Sequence, residues 1–171
     1  MPNSHLRLAA LAVLLSAAPA VAAEQYDASL GPAPLNDAMR VDMAGHGRIT
    51  VTLDGSTLSF EGSFDGLHAA PTNAKLIQGL GIGVPDAKAK VADLTVSGDA
   101  SKGTLSGKVT LSGAQRTALR TGKLYITVGS AKYPDGNGML WGWVLPAHER
   151  AADDEPQQGH WFLPNIDVPK K

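Results

Sequence analysis

The chain has 171 residues with 15 basic and 16 acidic side chains, five histidines and no cysteine. This near-neutral balance implies no basic face, so nucleic acid is not an expected partner. The missing thiols exclude thiol catalysis, haem attachment through Cys-x-x-Cys-His and thiolate metal sites.

Met1 to Arg7 carries one fixed positive charge, at Arg7, and Leu8 to Ala18 is an apolar run containing Leu11, Val13, Leu14 and Leu15. The run is too short for a bilayer anchor, and it lacks the polar face of an amphipathic helix. Pro19 breaks it, and Ala20-Val21-Ala22 satisfies the small-x-small rule for signal peptidase. An export signal is expected over residues 1–22, with cleavage after Ala22 or Ala23. Cleavage after Ala22 leaves 149 residues with 14 basic and 16 acidic groups, enough for one domain with its own core. No later segment holds about 18 apolar residues in a row, so the mature chain is expected to have no membrane span. The expected location is periplasmic or secreted, where a chain of this size can do without disulfides.

Residues 23–44, with Gly31, Pro32 and Pro34 and little periodicity, read as an N-terminal arm. From Arg48 to Leu53 the chain alternates, with Ile49, Val51 and Leu53 on one face and Arg48, Thr50 and Thr52 on the other, the pattern of a half-buried strand. Asp54-Gly55-Ser56 is a tight hairpin turn. Thr57 to Phe64 follows with Leu58, Phe60 and Phe64 in phase, and Gly62 marks a close approach or a bulge. Gly66 to Lys88 is less regular, with Leu67, Leu76 and Ile77, and Gly79-Leu80-Gly81-Ile82-Gly83 within it reads as a flexible crossover loop. No Gly-Lys-Ser/Thr follows these glycines, so they are not a phosphate loop.

Two further strands are expected, Lys90 to Val96 and Gly103 to Leu111, joined by a turn at Gly98 to Ser101. Leu105, Val109 and Leu111 face inward. Ser112-Gly113-Ala114-Gln115 is a capping box that starts a helix of about two turns, Leu119 faces the core, and Gly122 supplies a left-handed stop. Leu124, Ile126 and Val128 alternate with Tyr125 and Thr127 in another strand. Tyr133 to Gly138 is a turn, and Met139 to Leu145 is apolar on both faces, as in a covered strand. Beyond Pro146 the pattern stops. The expected fold is mainly β, an antiparallel Greek-key-like sandwich or barrel with one short helix over residues 45–146. Residues 147–171 are expected to be an extended C-terminal tail.

Three places carry a family resemblance. Gly47 to Asp54 through Leu58-Ser59-Phe60, with Phe64-Asp65-Gly66-Leu67, looks like an opening hairpin with an "sGL" ending. Gly107 to Ser112 with Gln115 and Leu119 looks like a strand-to-helix step. Gly122 to Val128 followed by Tyr133-Pro134-Asp135-Gly136 is similar to a "G-x-L-Y-V-x-V-H-T … P-x-G-E-I-R-G" block. Together they resemble the CHRD domain, from about Gly45 to Leu145. The resemblance implies a β-sandwich with an extracytoplasmic role, chiefly in binding other proteins. The family's "A-H-I-H" reads Ala74-Lys75-Leu76-Ile77 here, the histidine of "V-H-T" is replaced at Gly129, and "G-E-I-R-G" becomes Gly138 to Gly142. No site built on those histidines carries over.

Chemistry is sparse. There is no Gly-x-Ser-x-Gly elbow, and Ser112 is explained by its cap. The four histidines of the mature chain, His46, His68, His148 and His160, include no pair at a spacing that holds metal. His148 and His160, among the acidic residues of the tail, are the only candidate ligands. No catalytic residue and no cofactor are expected. All three tryptophans lie late in the chain. Trp141 and Trp143 share one face of a strand, and either they form core under a returning tail or they anchor a partner. Trp143, Trp161, Phe162 and Tyr133 are the partner-binding candidates. The leading expectation is a non-catalytic periplasmic accessory or protein-binding module on a larger envelope protein, for example the small subunit of a membrane-bound periplasmic dehydrogenase complex. A free-standing ligand or metal binder is the alternative, and a hydrolase ranks below it.

Overall fold

A computed structural model describes residues 22–32, 44–131, 133 and 140–147. Within them are β1 (Glu24–Pro32), β2 (His46–Asp54), β3 (Thr57–Asp65), β4 (Pro71–Gln78), β5 (Lys90–Gly98), β6 (Lys102–Thr110), α1 (Gly113–Arg120), β7 (Leu124–Ser130), β8 (Leu140–Trp143) and β9 (Leu145–Pro146). Pairing runs β1-β2-β3-β6-β5-β4-β7-β8, and β8 pairs back onto β1. The result is a closed antiparallel barrel of eight strands, with β9 lying on β1 as an extra strand. Strands β3 to β6 stand in the spatial order 3-6-5-4, a Greek key. Closure leaves the ring without the unpaired edges that invite aggregation.

The alternation seen in the sequence is the alternation of the wall. Ile49, Val51 and Leu53 of β2, Leu58, Phe60 and Phe64 of β3, and Leu124, Ile126 and Val128 of β7 all point into one core. Gly62 sits opposite Ile49, and a Cβ there would lie 2.2 Å from the Arg48 carbonyl oxygen, so no side chain fits. The β2–β3 register is continuous, so the glycine serves a close approach and not a bulge.

The helix closes one end. The Gln115 amide donates to Ser112 Oγ at 3.3 Å and the Ser112 amide to Gln115 Oε1 at 2.8 Å, which is the expected capping box. At the other terminus Gly122 has φ +67°, the Gly122 amide donates to Leu119 O and the Lys123 amide to Ala118 O. That pair of bonds is a Schellman motif. Ala118 and Leu119 are buried in the barrel end, and full burial of a leucine stabilises by about 2 kcal/mol.

Three expectations need correction. The N-terminal arm contains a strand: Glu24–Pro32 is β1, with Tyr26, Ala28 and Leu30 in the core. Tyr26, Ala28 and Leu30 alternate with Gln25, Asp27 and Ser29, but the run is short and breaks at Gly31-Pro32, and pairing with β2 and β8 makes the segment a strand. The barrel therefore begins well before residue 45. Likewise β4 was expected to be irregular, because Leu76 and Ile77 are adjacent apolar residues. Leu76 faces the core, Ile77 is buried on the outside, and the β4–β5 register shifts between them. Since β4 and β5 are neighbours, the glycine-rich segment is a hairpin loop and not a crossover.

Candidate functional site

Strand β7 is buried at every residue, so its outer face is covered as well as its inner one. The cover is a second apolar layer outside the wall. Register places Ile77, Tyr125 and Trp143 in one row across β4, β7 and β8, and Lys75, Thr127 and Trp141 in the next. The Tyr125 ring lies 4.9 Å from Trp143 and 6.1 Å from Trp141, and the two indoles are 6.1 Å apart. Ile77 and Tyr125 are fully buried while both tryptophans are half-buried. Burial and then the negative charge of Asp86 push the Tyr125 hydroxyl pKa up against the opposing pull of the Asp86 backbone amide, and the buried hydroxyl has no acceptor for its proton. Trp141 and Trp143 are thus not part of the barrel core, because Leu140, Gly142 and Val144 take the inward positions.

The β4–β5 loop folds against this layer. Gly79 lies under Trp143, where a Cβ would come 2.7 Å from the ring. The Leu80 amide donates to Val84 O and the Val84 amide to Gly81 O, both at 3.0 Å, which pins the loop into a tight turn. Its aliphatic side chains point to solvent: Leu80 is 70 % exposed, Ile82 66 % and Val84 50 %, and Leu145 of β9 is 40 % exposed. These four are the large exposed hydrophobic residues among the described ones. Ile82 and Leu145 are neighbours, since each has a carbon about 3.1 Å from the position a Gly122 Cβ would take. Beside them opens a cleft of about 670 Å³, lined by Trp141, Trp143, Leu145 and Pro146 on one side and by Asp27, Ser29 and Arg48 on the other. Exposed apolar side chains that adjoin one another, as Ile82 and Leu145 do, are the kind of surface that marks an interaction site.

Electrostatics at the same end are structural. Arg120 Nε donates to Glu24 Oε2 at 3.0 Å, and the Tyr26 hydroxyl donates to the same carboxylate at 2.7 Å. The bond from Arg120, with that from Tyr26, holds Glu24 down at about 2, while burial and the Glu24 carboxylate push Tyr26 up to about 12. The cluster clamps the helix to β1. His46 and Asp65 form a 3.2 Å pair, both exposed. Among the described residues no three His, Cys, Asp or Glu side chains gather to hold a metal, and no helix is long and apolar enough to cross a membrane.

Of the partner-binding candidates, Trp143 lies in the cleft. Tyr133 lies elsewhere: its amide donates to Ser130, at the far end of β7. Trp161, Phe162, His148 and His160 fall outside the described residues, as does most of the turn from Tyr133 to Gly138. Leu80, Ile82, Val84 and Leu145 were missed. Their signal was legible, because aliphatic residues alternating with glycines cannot all be buried in a tight turn.

The model of the CHRD domain matches residues 26–137, more than half of the chain. No curated protein and no solved structure matches the chain. The match starts within β1 and so supports the barrel boundary at the N-terminal side. The chain belongs to the CHRD domain family.

Proposed function

We propose that this domain is a non-catalytic binding module that docks on a larger envelope protein through the apolar face built by Leu80, Ile82, Val84, Leu145 and Trp143. The observation that carries the proposal is the exposure of Leu80, Ile82 and Val84 in one tight loop that rests on Trp143 at Gly79, with Ile82 beside the exposed Leu145. Membership of the CHRD family supports a binding or accessory role. Tryptophan beside exposed aliphatics is the composition of an interface centre. The leader-like Leu8 to Ala22 supports a periplasmic or secreted setting. Small subunit of a membrane-bound periplasmic dehydrogenase complex is the specific role to test first.

The test is site-specific photo-crosslinking in the native envelope. A crosslinker at Ile82 is expected to trap one partner reproducibly, and one at Lys108, on β6 four strands from the β8 that carries Trp143, is not. A native protein that runs as a lone monomer at every salt concentration, with no adduct from position 82, overturns the proposal.

A further inference from the structure

One strand glycine has no reason to be glycine within the fold. Every other strand glycine among the described residues would bring a Cβ within 3.0 Å of another heavy atom, from 2.2 Å at Gly62 to 2.9 Å at Gly107. At Gly31 a Cβ would meet nothing within 4 Å, and the backbone there is not left-handed. Glycine inside a strand weakens it, and it often marks a place where a ligand or another backbone comes close. No described part of this chain comes close to Gly31. It lies on the floor of the 670 Å³ cleft, beside Trp141 of β8.

The rest of the floor is equally low. Asp27 and Ser29 of β1 line it, with Asp27 opposite Thr50 and Leu145, and Ser29 opposite Arg48. Trp141 and Trp143 of β8 make one wall and Arg48 of β2 the other. These strands flank β1, so the walls stand about 10 Å apart between backbones, and an α-helix about 10–12 Å across does not enter. Strand addition is closed too, because β1 is paired on both sides. Asp27, Ser29 and Arg48 make no side-chain hydrogen bond or ion pair with a described residue. A carboxylate only accepts and a guanidinium only donates, so one ligand must do both over this short floor. Their charges offset each other, and His46 at the far end is matched by Asp65 at 3.2 Å.

We infer that the cleft over β1 binds a neutral saccharide. Sugar hydroxyls donate and accept alike, which suits Asp27, Ser29 and Arg48, while the C–H face of the ring lies against the indoles. Gly31 leaves room for the ring. A proline-rich segment also lies against tryptophans, but it brings few N–H donors for Asp27. Tyr125 braces both indoles from behind at 4.9 and 6.1 Å, so the wall is set before the ligand arrives. The volume falls within the range of about 300–1,000 Å³ for ligand sites. Leu80, Ile82 and Val84 do not line the cleft, so this site goes beyond the docking loop.

The test is calorimetric titration of the full chain with cellohexaose, maltohexaose and chitohexaose. At least one is expected to bind with Kd below about 1 mM, and to shift backbone amides of β1, β2 and β8. Gly31→Leu fills the cleft without a clash. It is expected to keep the melting temperature and to weaken binding at least about tenfold, as is Asp27→Asn. Ile82→Asp is expected to leave Kd unchanged. Saturable binding by none of the three sugars overturns the inference, and so does unchanged affinity in Gly31→Leu. Should that variant not fold, Arg48→Gln at an exposed position carries the test, and an unchanged Kd there is equally fatal. Binding of hexagalacturonate alone, abolished by salt, overturns the neutral class. The same amide shifts from decaproline, with none from a sugar, make an extended peptide the occupant and overturn it too.

Discussion

The ring of Trp143 lies 4.9 Å from that of Tyr125 on the outside of a barrel wall whose interior is already filled. Neither ring belongs to the main core, yet Tyr125 is completely enclosed. The outer layer they form with Ile77 and Trp141 gives the β4–β5 loop a floor to rest on. It turns one stretch of the barrel wall into a platform while the rest remains an ordinary solvated sheet.

The Tyr125 hydroxyl is buried with no acceptor for its proton, and an unmet buried donor costs about 1–3 kcal/mol. Tyr125→Phe keeps the ring and removes the group. It is expected to raise stability by about 1 kcal/mol, read as a higher denaturant midpoint with an unchanged slope. A loss of similar size would show that the hydroxyl is bonded in solution.

Gly62 faces the Arg48 carbonyl with no room for a methyl group. Gly62→Ala must push β2 and β3 apart in the middle of the barrel, and is expected to cost more than about 2 kcal/mol, in the range of overpacked cores. Gly55→Ala differs in kind, since the space there is open and only the positive φ opposes it. Its cost is expected to be about 1 kcal/mol. Thermal melts of the two variants side by side decide whether space or backbone dominates.

The Glu24–Arg120 clamp carries a pH signature. Glu24 titrates at about 2 in the fold against an ordinary 4.5, so the unfolded chain binds the proton more readily. Its contribution is complete above about pH 4.5 and is lost as pH falls from there towards 2. Tyr26 shifts the other way, to about 12, so its contribution holds below pH 10 and fades as pH rises towards 12. The stability difference between the native protein and Glu24→Gln is expected to shrink through the acid window. A constant difference from pH 6 to pH 2.5 would rule the clamp out.

Leu80→Asp and Ile82→Asp change side chains that already face water. Each is expected to move stability by less than about 0.5 kcal/mol, while partner capture falls at least about tenfold, as for residues at an interface centre. A large drop in melting temperature would instead assign these side chains to the fold.

Much of the architecture was legible because its strands are wetted on one face. Ile49-Val51-Leu53 and Leu124-Ile126-Val128 alternate for that reason, and Ser112 with Gln115 marks its helix through bonds made within four residues. The elements that escaped are those whose surroundings come from afar. Glu24–Pro32 alternates over only Gln25 to Leu30 before Gly31-Pro32, with small Ala28 at its centre, and it is held as a strand by hydrogen bonds to β2 and β8. Ile77 breaks the alternation of β4 because Tyr125, 48 residues later, buries it from outside.

Sequence alone therefore determined the class of fold, the capped helix, the turns and the absence of thiol chemistry, since each depends on local pattern or on composition. Only the tertiary structure decided that the barrel closes through β1, that Trp141 and Trp143 stand outside the core, and that Ile82 of the β4–β5 loop lies beside Leu145. Strand order sets which side chains share a surface, and strand order is fixed by pairing between distant segments, which no window along the chain contains.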